Sequence, residues 1–275
     1  MIRIDSHQHF WKPERGDYGW LTPELPTLYR DFLPGDLRPS LDELGVEKTI
    51  LVQAAPTVEE TRFLLELAKE NEWIAGVVGW VDFEDPDTTT LLSELAKDPH
   101  LVGIRPMVQD LPDDEWISRP EHAPVFEALI EQQLVFDALI KPHQLEPALT
   151  MIRRHPDLRV VIDHAAKPTL RDGVDSSYFN GIAALAQEPQ VTCKLSGLVT
   201  EAREDWTLED LQPIFDHLLR EFGPDRLLWG SDWPVLTLAG DYHGWWQATQ
   251  ELIAALNEEQ QNAILGGTAE KVYLS

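Results

Sequence analysis

Short runs of apolar and β-branched residues recur along the chain, and the longer stretches between them repeat apolar residues every three to four positions. The short runs predict strands, and the longer repeat is the period of a helix with one buried face. Eight strands are predicted, at residues 2–9, 49–54, 74–83, 102–108, 134–140, 159–165, 191–197 and 227–233. The helical repeat is clearest in TRFLLELAKENE, TTTLLSELAKD, APVFEALIEQQ, HQLEPALTMIRRH, SYFNGIAALAQE and LEDLQPIFDHLLREFG.

This alternation predicts a parallel sheet, because a parallel neighbour can be reached only through a crossover connection, usually a helix. Eight strand-helix units close into a (β/α)8 barrel, for which about 250 residues are typical. An open doubly wound sheet would usually carry a glycine-rich turn after an early strand, and no GxGxxG or GxxxxGK[ST] occurs here. We therefore expect an α/β fold, a TIM barrel that occupies residues 1–275 as a single domain.

Two polar, proline-containing stretches predict long loops after strands. One is the first βα loop at residues 12–39, and the other, at residues 109–124, contains DLPDDEW. Loops that follow barrel strands form the walls of the catalytic mouth. Residues 258–273 predict a closing helix, with Asn257 as its N-cap and Gln260 completing a capping box.

Composition excludes several classes of protein. The chain carries 48 acidic and 22 basic side chains, and the formal net charge of -26 disfavours nucleic acid and anionic membranes as partners. The sequence contains no apolar run long enough to cross a bilayer, and its first residues lack the layout of a signal peptide. The single cysteine, Cys193, excludes an intrachain disulfide, so a cytoplasmic location is expected. Nothing in the pattern predicts the oligomeric state.

The first strand ends in histidines. In DSHQHFW, His7 and His9 are two positions apart and therefore point to one face of a strand, which Asp5 is expected to share. Two imidazoles at this spacing can converge on one ion or one substrate. Asp232, in RLLWGSDWP, would lie at the tip of the eighth strand, which neighbours the first strand in a closed barrel. Asp232 is thus a candidate metal ligand or general base, and the alternative is that it caps the next loop.

Four motifs in this order resemble the amidohydrolase superfamily: DSHQHFW, DHAAKP at 163–168, CKLSGL at 193–198 and WGSDWPV at 229–235. Within it they are similar to the sugar-lactone hydrolases that include L-fuconolactonases and L-rhamnonolactonases, and the resemblance covers essentially the whole chain. It implies a (β/α)8 barrel that hydrolyses a small-molecule sugar lactone to its acid. The positions that match the superfamily's site are His7 and His9 on the first strand, His164 on the sixth and Asp232 on the eighth.

The resemblance also bears on metal binding, because binuclear members need a bridging lysine or carboxylate after strand four and a histidine after strand five. Strand four, VGIRPMV, offers Arg105 instead, and strand five, LVFDALI, has no histidine, since His143 follows too late. We therefore expect no binuclear site. Two alternatives stay open: one divalent, zinc-like ion bound by His7, His9 and Asp232, or activity without any metal, as in lactonases that resemble this branch.

Opening a lactone requires a base for the attacking water, stabilisation of the oxyanion and a proton for the departing alkoxide. Asp232 is the expected base, and it would return the proton to the ring oxygen. The oxyanion would be stabilised by a metal ion, or otherwise by His164, Arg105 and Lys194. Lys167 is interpreted as a loop charge.

Four side chains are expected to contact the substrate. Arg105 and Lys194 interrupt apolar strands, and a planar guanidinium suits a carboxylate or a polyol. Trp80 lies at the end of the third strand and Trp11 beside a loop of the mouth, and flat apolar rings suit the faces of sugars. The structural alternatives are that the Lys194 stem lies along the barrel wall and that the tryptophans only pack.

Three other functions remain to be separated from lactone hydrolysis. A lactone isomerase would move the acyl group without releasing acid, and a decarboxylase of the same superfamily would need a metal. The missing strand-five histidine weakens the decarboxylase. A binding protein on an inactive barrel is disfavoured, because such a barrel has no physical need for the His7, His9, His164 and Asp232 cluster.

Overall fold

The computed structural model describes residues 2–275, and Met1, where the expected domain begins, lies outside the described residues. Eight parallel strands, each paired with the next in chain order, form one sheet. They are β1 Ile4–Gln8, β2 Lys48–Val52, β3 Ile74–Gly79, β4 Leu101–Ile104, β5 Val135–Ala138, β6 Val160–Ile162, β7 Val191–Leu195 and β8 Leu227–Trp229.

The segment that follows β8 closes the sheet onto β1. Gln8 forms a parallel bridge with Trp233. The His9 N–H donates to the carbonyl of Trp233 at 2.7 Å, and the Asp232 N–H donates to the carbonyl of His7 at 2.8 Å. The fold is therefore the predicted (β/α)8 barrel.

Helices follow the strands, and all six segments with the strongest helical repeat are helical. The helices are α1 Pro34–Leu44, α2 Val58–Glu70, α3 Thr88–Leu95, α4 Ala123–Glu131, α5 Leu145–Arg154, α6 Ser176–Ala186, α7 Leu198–Glu201, α8 Leu208–Phe222, α9 Tyr242–Leu252, α10 Glu258–Asn262 and α11 Thr268–Tyr273. A π-helical turn, Ala263–Gly267, joins α10 to α11. No helix within residues 2–275 is long and apolar enough to cross a membrane.

The first βα loop is shorter than predicted, because α1 begins at Pro34 and not after residue 39. Proline is favourable in a first helical turn, where its missing N–H needs no partner. The Asp36 carboxylate accepts the N–H of Leu33 at 2.8 Å, and Leu37 and Leu41 are buried. The prolines suggested a loop, whereas one of them starts a helix.

The closing helix is interrupted, although its predicted start is confirmed. Asn257 accepts the Gln260 N–H at 3.0 Å, and Gln260 accepts the Asn257 N–H at 3.1 Å. The π-helical turn divides the predicted segment at Gly266, where any Cβ would overlap the carbonyl oxygen of Ile2. The interruption therefore lets the tail pack directly against the start of β1.

Two layers fill the barrel interior. The lower layer is aliphatic and contains Ile4, Ile50, Val52, Val78, Val102, Val135, Val161 and Leu228. Asp137 and Asp163 lie two residues beyond Val135 and Val161 on the same strand faces, and both are fully buried. A polar layer therefore lies directly above the aliphatic one, towards the carboxyl ends of the strands.

Candidate active site

Four polar side chains, from the end of β1 and from the segments that follow β6 and β8, meet above the barrel interior. The Asp232 Oδ1 atom is 3.3 Å from His9 Nε2, 3.7 Å from His7 Nε2 and 3.9 Å from His164 Nε2. None of the four residues is more than 5% exposed. The structure thus brings together the cluster that the sequence motifs grouped.

Asp5 does not share the face of His7 and His9, contrary to the expectation from strand alternation. The pairing register between β1 and β2 shifts between Asp5 and Gln8, which inserts one extra residue into β1. The Asp5 carboxylate instead accepts the hydroxyl of Tyr242 at 2.9 Å and the N–H of Ser231 at 2.9 Å. Asp5 therefore supports the closure of the barrel, and the bulge explains why the face was wrongly predicted.

His9 is held in one orientation by the backbone of β2. Its Nδ1 atom lies 2.7 Å from the carbonyl oxygen of Val52, so Nδ1 must carry a proton and donate it. In a neutral His9, Nε2 then presents a lone pair, which faces His7 Nε2 at 3.2 Å and the Asp232 carboxylate. Acceptor atoms this close require a proton or a cation between them.

The proton alternative is a continuous chain of donors. In this alternative the Lys194 ammonium group donates to His7 Nδ1 at 3.2 Å, and His7 carries its proton on Nε2, facing His9. His9 in turn donates the proton on its Nδ1 atom to the carbonyl oxygen of Val52. Burial, together with the Lys194 charge, holds the pKa of His7 well below its ordinary value, so a neutral His7 fits this chain.

The cation alternative also fits the donor set. A four-coordinate zinc ion has nitrogen and oxygen ligands at about 2.0–2.2 Å, which separates neighbouring donors by about 3.3–3.6 Å. The donor atoms of His7, His9 and Asp232 are 3.2–3.7 Å apart. A divalent ion therefore fits these three residues.

A second group of potential ligands, His7, Asp163 and His164, suits a metal poorly. Its donor atoms lie within 4.8 Å of one another. However, Asp163 is 2.9 Å from Lys194 Nζ and 3.1 Å from Arg105 Nη1, so a metal there would face two cations. The burial of Asp163 raises its pKa, but Lys194 and His7 outweigh this effect and hold it well below the ordinary value.

Lys194, which the sequence predicts to bind the substrate, does not line the pocket. The residue is fully buried. Its ammonium group donates to Asp137 at 2.5 Å and lies 2.9 Å from Asp163. Burial raises the pKa of Asp137 to about 6 and Lys194 opposes this rise, so Lys194 is the counter-ion of two buried carboxylates. The hypothesis that its stem merely lies along the wall missed these partners.

Arg105 follows β4 directly and lines the pocket, but both terminal nitrogens of its guanidinium already have partners. Nη1 donates to Asp163 at 3.1 Å, and Nη2 donates to the carbonyl of Gln53 at 2.5 Å. Nε is buried without a hydrogen-bond partner among the described residues. Contacts at both Nη1 and Nη2 thus tie down the planar fork of Arg105, which limits its bidentate binding of a substrate.

The two predicted sugar-stacking tryptophans lie outside the pocket. Trp11 is fully buried, and its Nε1 donates to the carbonyls of Leu28 and Arg30 at 3.2 and 3.1 Å, so its ring presents no face to the pocket. Trp80 lines a neighbouring cavity of about 720 Å³. Trp20, which the sequence placed only in a loop, lines both cavities.

His9, His164 and Asp232 of the cluster, but not the fully buried His7, line a pocket with a volume of about 290 Å³, at the small end of ligand sites. Its polar lining consists of His9, Arg105, Gln109, Asp110, His164, Lys167 and Asp232. Its apolar lining consists of Trp20, Leu25, Leu28, Ala54, Met107, Leu139, Val235 and Leu238. Sequence reasoning missed most of the apolar wall, because isolated leucines in loops carry no signal that distinguishes lining from packing. Such a pocket suits a small ligand with one polar and one apolar face.

The charge states of the pocket residues follow from burial and from their neighbours. Burial raises the pKa of Asp232, but the nearby imidazoles of His164 and His9 outweigh this effect, and the net pKa lies below the ordinary value. Burial lowers the pKa of His164 to about 4, and its Nδ1 lies 2.9 Å from the Ser196 hydroxyl. At neutral pH the site therefore combines a carboxylate with a neutral imidazole.

Comparison with known proteins places this geometry in a family. The sequence model of the protein family described as Amidohydrolase matches residues 4–274 of this chain. An L-fucono-1,5-lactonase of Burkholderia ambifaria is 44% identical over 276 residues, which cover 99% of this chain and 95% of that protein. An L-fucono-1,5-lactonase of Burkholderia multivorans is 37% identical over 286 residues, 99% of this chain and 96% of that protein.

A solved structure agrees with these relatives. A crystal structure of an amidohydrolase from Burkholderia multivorans with bound zinc superposes with a TM-score of 0.93 at 36% identity, and 99% of each chain is covered. Both the sequence match and the fold extend over the whole barrel, including the strand ends that carry the cluster. The chain therefore belongs to the amidohydrolase family.

Proposed function

We propose that this chain hydrolyses a sugar lactone to the corresponding aldonic acid. The observation that carries the proposal is the buried carboxylate of Asp232, 3.3 Å from His9 Nε2, in a small pocket with an extensive apolar wall. The relatives named as L-fucono-1,5-lactonases support the same chemistry and suggest L-fuconolactone as the first substrate to test.

Asp232 is the general base in the proposed reaction. It takes a proton from water as the water oxygen attacks the acyl carbon, and the π electrons of the carbonyl move onto the acyl oxygen. These electrons return as the bond to the ring oxygen breaks, and Asp232 gives its proton to that oxygen. One water is consumed, and the product is a hydroxy acid.

The other members of the cluster position the reacting groups. His7 and His9 hold the Asp232 carboxylate from one side, and His164, with Nε2 3.9 Å away, can donate a hydrogen bond to the acyl oxygen. When bound at His7, His9 and Asp232, a divalent ion would polarise the acyl oxygen and lower the pKa of water. The donor chain described above is the alternative that needs no ion.

A neutral lactone fits the pocket better than a lactone that carries carboxylates. Besides histidine, the basic residues that line the pocket are Arg105 and Lys167, and Arg105 already pairs with Asp163. Asp110 and Asp232 add negative charge to the same wall. An anionic substrate would therefore meet little uncompensated positive charge.

A pH-indicator screen of 1,4- and 1,5-sugar lactones, with and without a chelator, tests the proposal. Acid release supports hydrolysis, whereas conversion without acid release would indicate an isomerase. The chelator arm decides between the metal-bound and metal-free alternatives. If no lactone releases acid in either arm, the proposed function is wrong.

Asp232→Asn is the matched variant for this screen. The amide keeps the shape of the side chain but cannot accept the proton, so kcat is expected to fall by about 100-fold or more. Circular dichroism and the melting temperature should show an intact fold. Near-normal turnover by this variant would contradict the assignment of Asp232 as the base.

A further inference from the structure

The chain runs left-handed for four consecutive residues after β6. His164, Ala165, Ala166 and Lys167 have φ values of 52°, 50°, 57° and 52°, and none of them is glycine. Residues with a Cβ avoid this region because Cβ approaches the following carbonyl oxygen. Such backbone persists only where the surrounding structure holds it, and it is concentrated at functional sites.

Contacts from two neighbouring segments hold this left-handed turn. The Tyr178 hydroxyl donates to the carbonyl of Ala165 at 2.8 Å, and the Lys167 N–H donates to the carbonyl of His164 at 2.8 Å. The Ser196 hydroxyl lies 2.9 Å from His164 Nδ1. The turn is therefore a defined part of the site.

The left-handed turn directs two side chains into the pocket, which an extended strand could not do. Asp163 faces the barrel interior, so an extended chain would send His164 to the opposite face. With about three residues per turn, positions i and i+3 fall on the same side. His164 and Lys167 both line the pocket, whereas Ala165 and Ala166 are fully buried.

Lys167 also differs from the other cations near the site. Lys194 is fully buried against Asp137 and Asp163, and the fork of Arg105 is engaged by Asp163 and Gln53. The ammonium group of Lys167 lies 3.5 Å from Glu201, and the two side chains are 24% and 27% exposed. This longer, partly solvated contact leaves Lys167 able to turn towards a ligand.

We propose that Lys167 is a catalytic residue that donates a hydrogen bond to the acyl oxygen of the lactone. Its positive charge stabilises the negative charge that this oxygen gains when water adds, and the ammonium group keeps its proton throughout. This proposal rests on the proposed lactone hydrolysis. It gives Lys167 the role that the sequence motifs suggested for Lys194.

Lys167→Met is the primary test, with Lys141→Met as its matched control. Lys141 lines a neighbouring cavity on the same face of the barrel, outside the pocket, so its loss removes the same charge at a similar place. In steady-state assays on the lactone found by the screen, Lys167→Met is expected to lower kcat by about 100-fold, as for the loss of an oxyanion donor. Lys141→Met should stay within about twofold of the wild type.

Lys167→Gly separates chemistry from folding. Glycine favours positive φ, so this change relaxes the turn while it removes the ammonium group. The expected result is a melting temperature no lower than that of the wild type with kcat as low as in Lys167→Met. A fall in kcat that occurs only together with a lowered melting temperature would assign Lys167 a structural role and overturn the proposal.

The outcomes also separate this proposal from the proposed function. If the wild type opens no sugar lactone, lactone hydrolysis fails and Lys167 loses its role with it. If the wild type is active and Lys167→Met keeps kcat within about threefold, only the Lys167 proposal fails. A raised KM with unchanged kcat would also overturn it, because a group that acts on the developing charge must change kcat.

Discussion

At the scale of single residues, the barrel interior is organised by a buried ion cluster beneath the histidines. Lys194 lies between Asp137 and Asp163, at 2.5 and 2.9 Å, and all three residues are fully buried. The Tyr273 hydroxyl donates to Asp137 at 2.8 Å. The cluster orients His7 through the contact between Lys194 and His7 Nδ1.

Replacing Lys194 is therefore expected to affect stability first. Lys194→Met leaves the buried Asp137 without its counter-ion and Asp163 with Arg105 alone, and breaking a buried pair typically costs about 3–5 kcal/mol. Chemical denaturation should show this loss in the free energy of unfolding. Adding Asp137→Asn should restore part of it, since one uncompensated charge is removed. Wild-type stability of Lys194→Met would contradict the counter-ion role.

At the scale of secondary structure, the strands end earlier than their sequence patterns predicted. The sixth predicted strand, 159–165, ends at Ile162, and the eighth, 227–233, ends at Trp229. His164 and Asp232 have φ values of 52° and 58°, which a β-ladder cannot contain. The apolar pattern continues through these residues because they remain buried, although the backbone has left the sheet.

We expect the position of the His164 ring to require a glycine at residue 197. It has φ 64° and ψ 4°, and a Cβ there would lie 2.5 Å from His164 Nδ1. Gly197→Ala should therefore lower both the melting temperature and kcat. Gly16→Ala is the control, because Gly16 has φ 76° and ψ 5° with nothing within 4 Å. Equal effects of the two changes on kcat would show that backbone strain alone, and not displacement of His164, is responsible.

The corner between β2 and α2 is held by a buried carboxyl group. Glu60, in the first turn of α2, accepts the N–H groups of Ala54 and Ala55 at 3.0 and 2.7 Å. Trp20 of the pocket wall donates to the carbonyl of Ala54 at 2.7 Å. Burial raises the pKa of Glu60 to about 8, against the lowering effect of the two backbone N–H groups.

This raised pKa predicts how stability changes with pH. From pH 4.5 to about 8, the unfolded Glu60 has lost its proton while the folded one keeps it. Unfolding then releases a proton, so the contribution of Glu60 to the free energy of unfolding falls as the pH rises, by up to about 1.4 kcal/mol per pH unit. Glu60→Gln should remove this slope in denaturation curves between pH 5 and 8. Parallel pH profiles of wild type and variant would contradict the assignment.

At the scale of the whole molecule, closure of the barrel is what creates the site. The backbone bonds that join His7 and His9 to Asp232 and Trp233, at 2.7–2.8 Å, bring the two ends of the chain together. Two buried cations, Lys194 and Arg105, lie next to this site and contact Asp163 at 2.9 and 3.1 Å. We therefore expect no more than one bound metal, because an ion at the second candidate group, His7, Asp163 and His164, would be opposed by this positive charge.

The expected metal content is accordingly no more than one ion per chain. Elemental analysis of protein purified with added zinc should give a ratio of at most one. His9→Ala should reduce that ratio, because it removes one of the three donors. His143→Ala, which changes an exposed histidine paired with Asp114, should leave the ratio unchanged. A ratio of two would overturn the single-site expectation.

Much of this fold could be predicted from the chain because the signals are local. Helical period and short apolar runs predict elements without knowledge of their neighbours, and parallel strands in this number lead to a barrel. The positions of His7, His9 and Asp232 at strand ends then follow. The face of Asp5 could not be predicted, because a bulge in the β1–β2 pairing breaks the alternation. Helix α9, which lacked a clear predicted repeat, was also missed.

The sequence by itself determined the order of strands and helices, and with it the strand ends that carry the polar cluster, because periodicity and alternation are properties of adjacent residues. Only the tertiary structure decided which basic and aromatic side chains reach the pocket. It buries Lys194 and Trp11 and exposes Lys167 and Trp20 to the pocket. Burial and the left-handed turn depend on contacts between segments far apart in the chain, and no local pattern records those contacts.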